Sequence, residues 1–138
     1  MNILFPELLR FSDVGLLLLR LMVAVVFLPS GLNHLKHPAE RAKSIGVSRG
    51  FTIVLGSGEV LGSLGVALGA LIQLAAIGLI LIMLGAIQKK ILVWKTGFWG
   101  KGGYGWHYDL MLLVMNLVIL VTGGGSLVVL SSWVGPEY

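Results

Sequence analysis

Three polar residues inside otherwise apolar stretches are the first candidates for chemistry: Arg20, Glu59 and Asn116. A guanidinium can orient or charge-stabilise a polar head group, a carboxylate can accept or relay a proton, and an amide can hold either group in place. Glu59 lies in GSGEVLGSLGVALG, residues 56–69, where every other residue is glycine, serine or aliphatic. We therefore hypothesise that the three residues line a pocket for a polar head group or a proton path.

Two other interpretations of these residues stay open. The three side chains could form a network that only fixes the register of the helices. Arg20 could instead extend toward Asp13 and the membrane surface, because a long basic side chain can place its charge at the interface. Glu59 could be ionised in a pair with Arg20, or protonated because burial disfavours its charged form.

The histidines are the other residues with ligand chemistry: His34, His37 and His107. Two of them from different helices could hold a haem, and all three could hold a metal ion. A histidine at a helix end beside lysines is usually a solvated interface residue, so we do not expect haem or a metal. The run WHYD at 106–109 is polar enough to take part in a site on the cytoplasmic side. The simpler interpretation is that Asp109 caps the start of the fourth span, where a negative charge complements the helix dipole.

The composition indicates that lipid is the solvent. Of the 138 residues, 57% are hydrophobic and 12% are charged, whereas roughly 25% are charged in soluble domains. Such a chain cannot cover its surface with polar groups. The absence of cysteine excludes disulfides, thiol redox catalysis and iron–sulfur ligation within it. The net charge of +4 is not arranged as a nucleic-acid stripe, so we expect no nucleic-acid partner.

Four apolar runs have about the length that crosses a bilayer. They predict an all-α fold, a four-helix membrane bundle with short polar linkers that forms one domain over residues 1–138. A short interfacial helix is predicted from Ser126 to Trp133. The second and third spans form a tight hairpin, and the predicted spans are about 13–35, 50–68, 70–87 and 108–122.

Basic residues predict the orientation. Eight lysines and arginines flank the first and third linkers, and Arg10 is the only one outside the spans on the other side. The positive-inside rule then places both linkers in the cytoplasm and both termini outside, in the cell inner membrane. The third linker, 95–107, also carries aromatic residues of the kind that lie in the headgroup layer.

Spaced glycines follow and flank Glu59. Gly58, Gly62, Gly65 and Gly69 fall on one helix face, and a smooth face lets another helix approach closely. Ordinary packing within the bundle is the simpler interpretation, and a dimer interface is the alternative. In either case the approaching helix would cover the carboxylate and could supply its partner.

Taken in order, these motifs resemble the DoxX family of small bacterial and archaeal membrane proteins. The run LLLRLMVAVVFLPSG at 17–31 is similar to the family's first helix, with its arginine and closing glycine. The run GEVLGSLGVALG at 58–69 is similar to the family's glutamate followed by spaced glycines. The run GGGSL at 123–127 matches only in part, since the family's proline and aspartate are absent there. The resemblance covers roughly Gly15 to Leu127 and implies a four-helix membrane bundle.

The resemblance also implies a class of function. Some relatives are named for subunits of thiosulfate:quinone oxidoreductase, and others are associated with redox-protective membrane complexes. We therefore expect a membrane subunit or anchor of a quinone-linked redox complex, with Arg20 and Glu59 as the positions that matter. A bound quinone is the expected ligand, and electron transfer would need a partner because the chain carries no clear cofactor ligands. The alternatives are a structural or assembly protein that docks a partner or a second copy, and a small oligomeric transporter.

Overall fold

A computed structural model describes residues 3–100 and 105–128, and the regular elements within these ranges are all helical. A short 3-10 helix, Pro6–Phe11, leads directly into the first α-helix. The predicted all-α class is confirmed. The α-helices are α1 Ser12–Lys36, α2 Pro38–Ile45, α3 Arg49–Leu68, α4 Ile72–Gln88 and α5 His107–Thr122.

The structure has five α-helices where the sequence predicted four, because part of the first linker folds into α2. Pro38 occupies the first turn of α2, where a backbone N–H is not needed. Gly46 ends the helix in the left-handed conformation, with φ at 74°, and its amide donates to the Ala42 carbonyl at 2.9 Å. Proline at the start and glycine just past the end is a known helix signature. The polarity of this stretch led to its interpretation as a plain linker.

The four longest helices form a ring. Helix α1 contacts α3 and α5, and α4 contacts the same two helices from the opposite corner. Helix α2 packs on α1 and α3. We call one end of the ring the Arg20 end, which contains the start of α1, the α3–α4 turn and the end of α5. The opposite end, with α2 and the start of α5, is the basic end, because Lys36, Lys43 and Lys89 lie there.

The outer surface of the ring is apolar. Leu18, Val54, Leu81 and Val121 are among many large hydrophobic side chains that are more than half exposed along the four long helices. Three helical stretches are long and apolar enough to cross a membrane: Pro6–Lys36, Arg49–Leu68 and Ile72–Val93, whereas α5 is shorter. The last of these includes a π-helical turn, Lys89–Val93, that continues α4. A surface of this kind lies against lipid, so the helices contact a bilayer.

The α3–α4 connection is as short as the sequence predicted. Gly69 ends α3 at a φ of 80°, and two consecutive amides, those of Gly69 and Ala70, donate to the Gly65 carbonyl at 2.9 Å. Leu71 then begins α4 from the left-handed region. Helices α3 and α4 are therefore antiparallel neighbours.

The predicted glycine face lies toward α4 within this chain. A Cβ atom at Gly62 would be 2.9 Å from Leu79, and one at Gly65 would be 3.1 Å from the Ala75 Cβ atom. Gly58 is less crowded, with Ile82 at 3.6 Å from its hypothetical Cβ atom. The smooth face thus brings the two helices of the hairpin together.

A second glycine contact, between Gly31 and Gly56, was not recognised in the sequence. It lies where α1 crosses α3. A Cβ atom at Gly56 would be 2.7 Å from the His34 Cβ atom and 2.9 Å from the Gly31 carbonyl oxygen. A Cβ atom at Gly31 would be 2.9 Å from the Gly56 carbonyl oxygen and from the Glu59 Cβ atom. Backbone therefore meets backbone at this crossing, and His34 is brought next to Glu59.

The predicted interfacial helix and the third linker are each described only in part. Ser126 to Val128 are not helical, and the rest of the predicted interfacial helix lies outside the described residues. In the third linker, the Phe98 ring packs edge-on against Trp99 and Trp106, with centroids 4.8 and 4.7 Å away. The His107 amide and imidazole both contact the Phe98 carbonyl oxygen, at 3.0 and 2.8 Å. An aromatic cluster thus precedes α5 at the basic end.

The Gly31–Gly56 crossing predicts a large effect of a single methyl group. Gly56→Ala should destabilise the protein by about 1–3 kcal/mol, because the added carbon overpacks the contact between α1 and α3. Gly85→Ala is the matched control, since a Cβ atom at Gly85 in α4 would have no neighbour within 4 Å. Unfolding by a denaturing detergent, followed by circular dichroism, measures both. Equal stability of the two variants would contradict the close crossing.

Candidate functional site

Arg20 is fully buried, and its hydrogen bonds go to backbone carbonyl groups. Its Nε donates to the Val66 carbonyl at 2.7 Å, and its Nη2 donates to the Ala67 carbonyl at 3.1 Å. Its Nη1 donates to the carbonyls of Leu127 at 2.7 Å and Gly124 at 3.2 Å. The guanidinium therefore joins α1 to the end of α3 and to the segment that follows α5.

The position of Arg20 follows from the needs of a helix end in an apolar medium. The last four carbonyl groups of a helix lack partners within it, and lipid offers none. At the end of α3 the Gly65 carbonyl accepts hydrogen bonds from the amides of the turn. The Val66 and Ala67 carbonyls accept hydrogen bonds from Arg20. A cation at this end also complements the negative end of the helix dipole. Arg20 thus has a sufficient structural role without a carboxylate partner.

The segment after α5 is held against α1. Three successive glycines, Gly123 to Gly125, have φ values of 74°, 78° and 86°, which only glycine adopts readily, and the chain turns back there. The Ser126 amide donates to Asp13 Oδ1 at 3.0 Å. Arg20 and Asp13 therefore fix this segment, residues 123–128, to the first helix.

Glu59 is the second buried ionisable residue considered for the site, and it lies beside a histidine, His34. The side chains of Glu59 and His34 are each 5% exposed, and Glu59 Oε2 is 3.6 Å from His34 Nδ1. The His34 Nδ1 is 2.6 Å from the Ser30 carbonyl oxygen, so the proton on this nitrogen is directed to the backbone. Glu59 Oε2 consequently has no hydrogen-bond partner among the described residues.

The register of α1 and α3 keeps Arg20 away from Glu59. Gly31 of α1 lies level with Glu59, as the close contact of their Cβ positions shows. Arg20 precedes Gly31 by eleven residues, or about 16 Å of helix. Its partner Val66 follows Glu59 by seven residues, or about 10 Å. The structure therefore shows no ion pair or hydrogen bond between Arg20 and Glu59.

Asn116 is fully buried in α5 and separate from both. Its Nδ2 donates to the Leu112 carbonyl of its own helix at 2.8 Å, and its Oδ1 has no partner among residues 3–100 and 105–128. The three residues singled out in the sequence are thus all in the interior, but the structure gives each of them different partners.

Other charged groups near Glu59 come from the basic end. The Ser30 hydroxyl of α1 and the charge of Arg41 on α2 also act on the Glu59 carboxylate. Arg41 Nε is buried without a hydrogen-bond partner in the described part of the chain. Asp109, in the first turn of α5, is 4% exposed and pairs with Lys90 at 2.7 Å. The polar run at 106–109 therefore contributes a partly buried ion pair between α5 and the π-helical turn that continues α4.

The histidines do not form a metal centre where the structure can be described. Within those ranges, no group of three or more His, Asp or Glu side chains could hold a metal ion. His34 contacts Glu59, His107 contacts the Phe98 carbonyl, and His37 is exposed at the end of α1.

The neighbours of Glu59 were not predicted from the sequence. His34 was interpreted as an interface residue, and Arg41 was counted only toward the orientation. The available signal was spacing, since Gly31 and His34 are three residues apart and so share a face of α1, as Gly56 and Glu59 share one of α3. Two glycine–polar pairs of equal spacing indicate a crossing at which the polar residues meet.

A sequence model of the DoxX family matches residues 15–94, more than half of the 138 residues. The matched range includes Arg20, His34 and Glu59, and Asn116 lies beyond it. Neither the curated proteins nor the solved structures contain a significant match to the chain.

The carbonyl contacts of Arg20 predict a mainly structural role. Arg20→Met should lower stability by about 3 kcal/mol or more, because several buried carbonyls lose a charged donor at once. Arg20→Lys should lose less, since it keeps the charge but not the forked geometry. Arg10→Gln is the control at the same end, and an exposed position should change stability by no more than about 0.5 kcal/mol. A wild-type unfolding curve for Arg20→Met would refute the role.

Proposed function

The chain belongs to the DoxX family, and we propose that it is the membrane subunit or anchor of a quinone-linked redox complex. In this proposal α1, α3, α4 and α5 all cross the cell inner membrane, with both termini outside and the basic end in the cytoplasm. The ligand is a quinone whose polar ring lies between the helices near Glu59. A protein partner supplies the electron-transfer centre, because the chain has no cysteine and no clear cofactor ligand set.

The observation that supports this proposal is the unpartnered carboxylate oxygen of Glu59. A charged or polar group near the centre of a membrane costs at least about 2.5–3.5 kcal/mol and is usually kept for a function. Arg20 accounts for its own burial through four carbonyl contacts. Glu59 does not, because His34 is 3.6 Å away and directs its Nδ1 proton to Ser30. An acceptor left without a donor in the interior is a place for a ligand.

The residues around Glu59 have distinct roles in this proposal. Glu59 accepts a hydrogen bond from a ring hydroxyl of the ligand when the ring is reduced, and it can take up the proton of that hydroxyl. His34 holds the carboxylate in place and is itself fixed by the Ser30 carbonyl. Arg41 supplies positive charge from the basic end. Arg20 keeps the opposite end of the bundle assembled, and so contributes to the site through the helices rather than by touching the ligand.

The test compares two carboxylates in the same chain. Glu59→Gln should reduce the quinone that copurifies with the protein at least about tenfold, which corresponds to about 1.4 kcal/mol of binding free energy. Glu40→Gln is the matched control, because Glu40 is exposed on α2 and should retain the wild-type quinone content. Extraction with solvent and chromatography measure quinone per mole of protein, and circular dichroism checks that both variants are folded.

The control also accounts for quinone that is merely dissolved in residual lipid. Such quinone should be present equally in the wild type and both variants. If all three preparations contain the same amount, the quinone site at Glu59 is disproved. If Glu59→Gln is depleted while Glu40→Gln is not, the site is supported.

A further inference from the structure

The unpartnered polar atoms in the interior are mostly of one chemical kind. Four buried side-chain atoms lack a hydrogen-bond partner among the described residues: Glu59 Oε2, Asn116 Oδ1, Asp109 Oδ2 and Arg41 Nε. Asp109 is charge-paired with Lys90 at 2.7 Å, and Arg41 is only partly buried at the basic end. The remaining two are on Glu59 and Asn116, and both are acceptors when Glu59 is ionised. Both residues are more than nine-tenths buried.

The assignment of Asn116 Oδ1 as an acceptor follows from its other contact. The Leu112 carbonyl oxygen is 2.8 Å from the amide atom that faces it, and only the NH₂ group can donate there. The reverse orientation of the amide would place two oxygens against each other. The carbonyl oxygen of Asn116 must therefore be the atom that has no partner.

The two acceptors lie at the same depth on opposite corners of the ring. Both α3 and α5 begin at the basic end, and Glu59 and Asn116 are ten and nine residues from Arg49 and His107. At 1.5 Å per residue, each lies about 14–15 Å from that end. Helices α3 and α5 do not contact each other, since α1 and α4 separate them. Both residues are buried, so neither side chain faces lipid.

We propose that this interior selects a ligand that donates hydrogen bonds, namely the hydroxyl-bearing, reduced form of the quinone. The inference rests on the proposed quinone site and adds which redox form it prefers. A hydroquinone has two O–H groups on opposite sides of its ring, which can donate to Glu59 and to Asn116. An oxidised quinone has two carbonyl oxygens instead, and an acceptor placed against an acceptor leaves both buried atoms without partners.

The preference is the ratio of the affinities for the reduced and oxidised forms of one couple. It is measured by adding a short-tailed benzoquinone or naphthoquinone, or the corresponding hydroquinone, to the purified protein under anaerobic conditions. At least one hydroquinone should bind about tenfold or more tightly than its quinone, as expected from two modest hydrogen bonds. Tighter binding of the reduced form also raises the midpoint potential of the bound couple, by about 30 mV for a tenfold preference in a two-electron couple. A redox titration of the bound ligand provides this second readout.

Asn116→Leu tests the second acceptor. It should reduce the preference to about threefold, since one of the two acceptors is removed, while the affinity for the oxidised quinone is unchanged or higher. Ser57→Ala is the control, because the Ser57 hydroxyl donates to the Ile53 carbonyl of its own helix at 2.8 Å and has no part in the site. A loss of fold would lower the affinity for both forms alike, so the ratio separates the two effects.

The outcomes distinguish the inference from the proposed function. If neither form of either couple binds, the proposed quinone site is wrong and the inference falls with it. If a couple binds but the oxidised form binds equally well or better, the site stands and the preference for the hydroquinone is wrong. A preference that Asn116→Leu leaves unchanged would overturn the role of the second acceptor.

Discussion

The structure depends on how a charge and the end of a helix satisfy each other in an apolar medium. The carbonyls that end α3 have no partners within the helix, and lipid has no donors for them. Arg20 brings a buried charge that also needs partners, and the Val66 and Ala67 carbonyls meet that need. Two costs of burial therefore offset each other. Because backbone carbonyls satisfy Arg20, the second buried ionisable group, Glu59, is not paired with it.

The environment of Glu59 is set by a contact between two backbones. Gly31 and Gly56 allow α1 and α3 to approach until a methyl group at either position would overlap the other helix. At that distance the His34 imidazole covers the carboxylate but does not reach it with a short hydrogen bond. Glycine packing thus positions polar chemistry here, as well as bringing apolar helix faces together.

The sequence predicted the helix ends and the burial of charged residues, because both depend on the cost of moving a residue from water into lipid. It did not predict which side chains meet, because that depends on the register between helices. The ends of the apolar runs lie within two residues of the ends of the long helices. The cost of a charge in lipid predicted that Arg20 and Glu59 avoid the lipid-facing surface, and both are buried. Which partner each would have depends on how far α1 slides along α3. That offset is fixed by the Gly31–Gly56 contact between distant parts of the chain, and no single helix reveals it. Helix α2 was missed for another reason, because its polar composition concealed its proline start and glycine end.

The partners of Arg20 have a consequence for how the protein is made. Val66 follows Arg20 by 46 residues and Gly124 follows it by 104. When the first helix enters the membrane during translation, none of the carbonyls that later surround its guanidinium has yet reached the membrane. The arginine therefore needs a temporary polar environment, at the membrane surface or within the insertion machinery, until the segment after α5 arrives. Final assembly of the four-helix ring thus follows the insertion of α5.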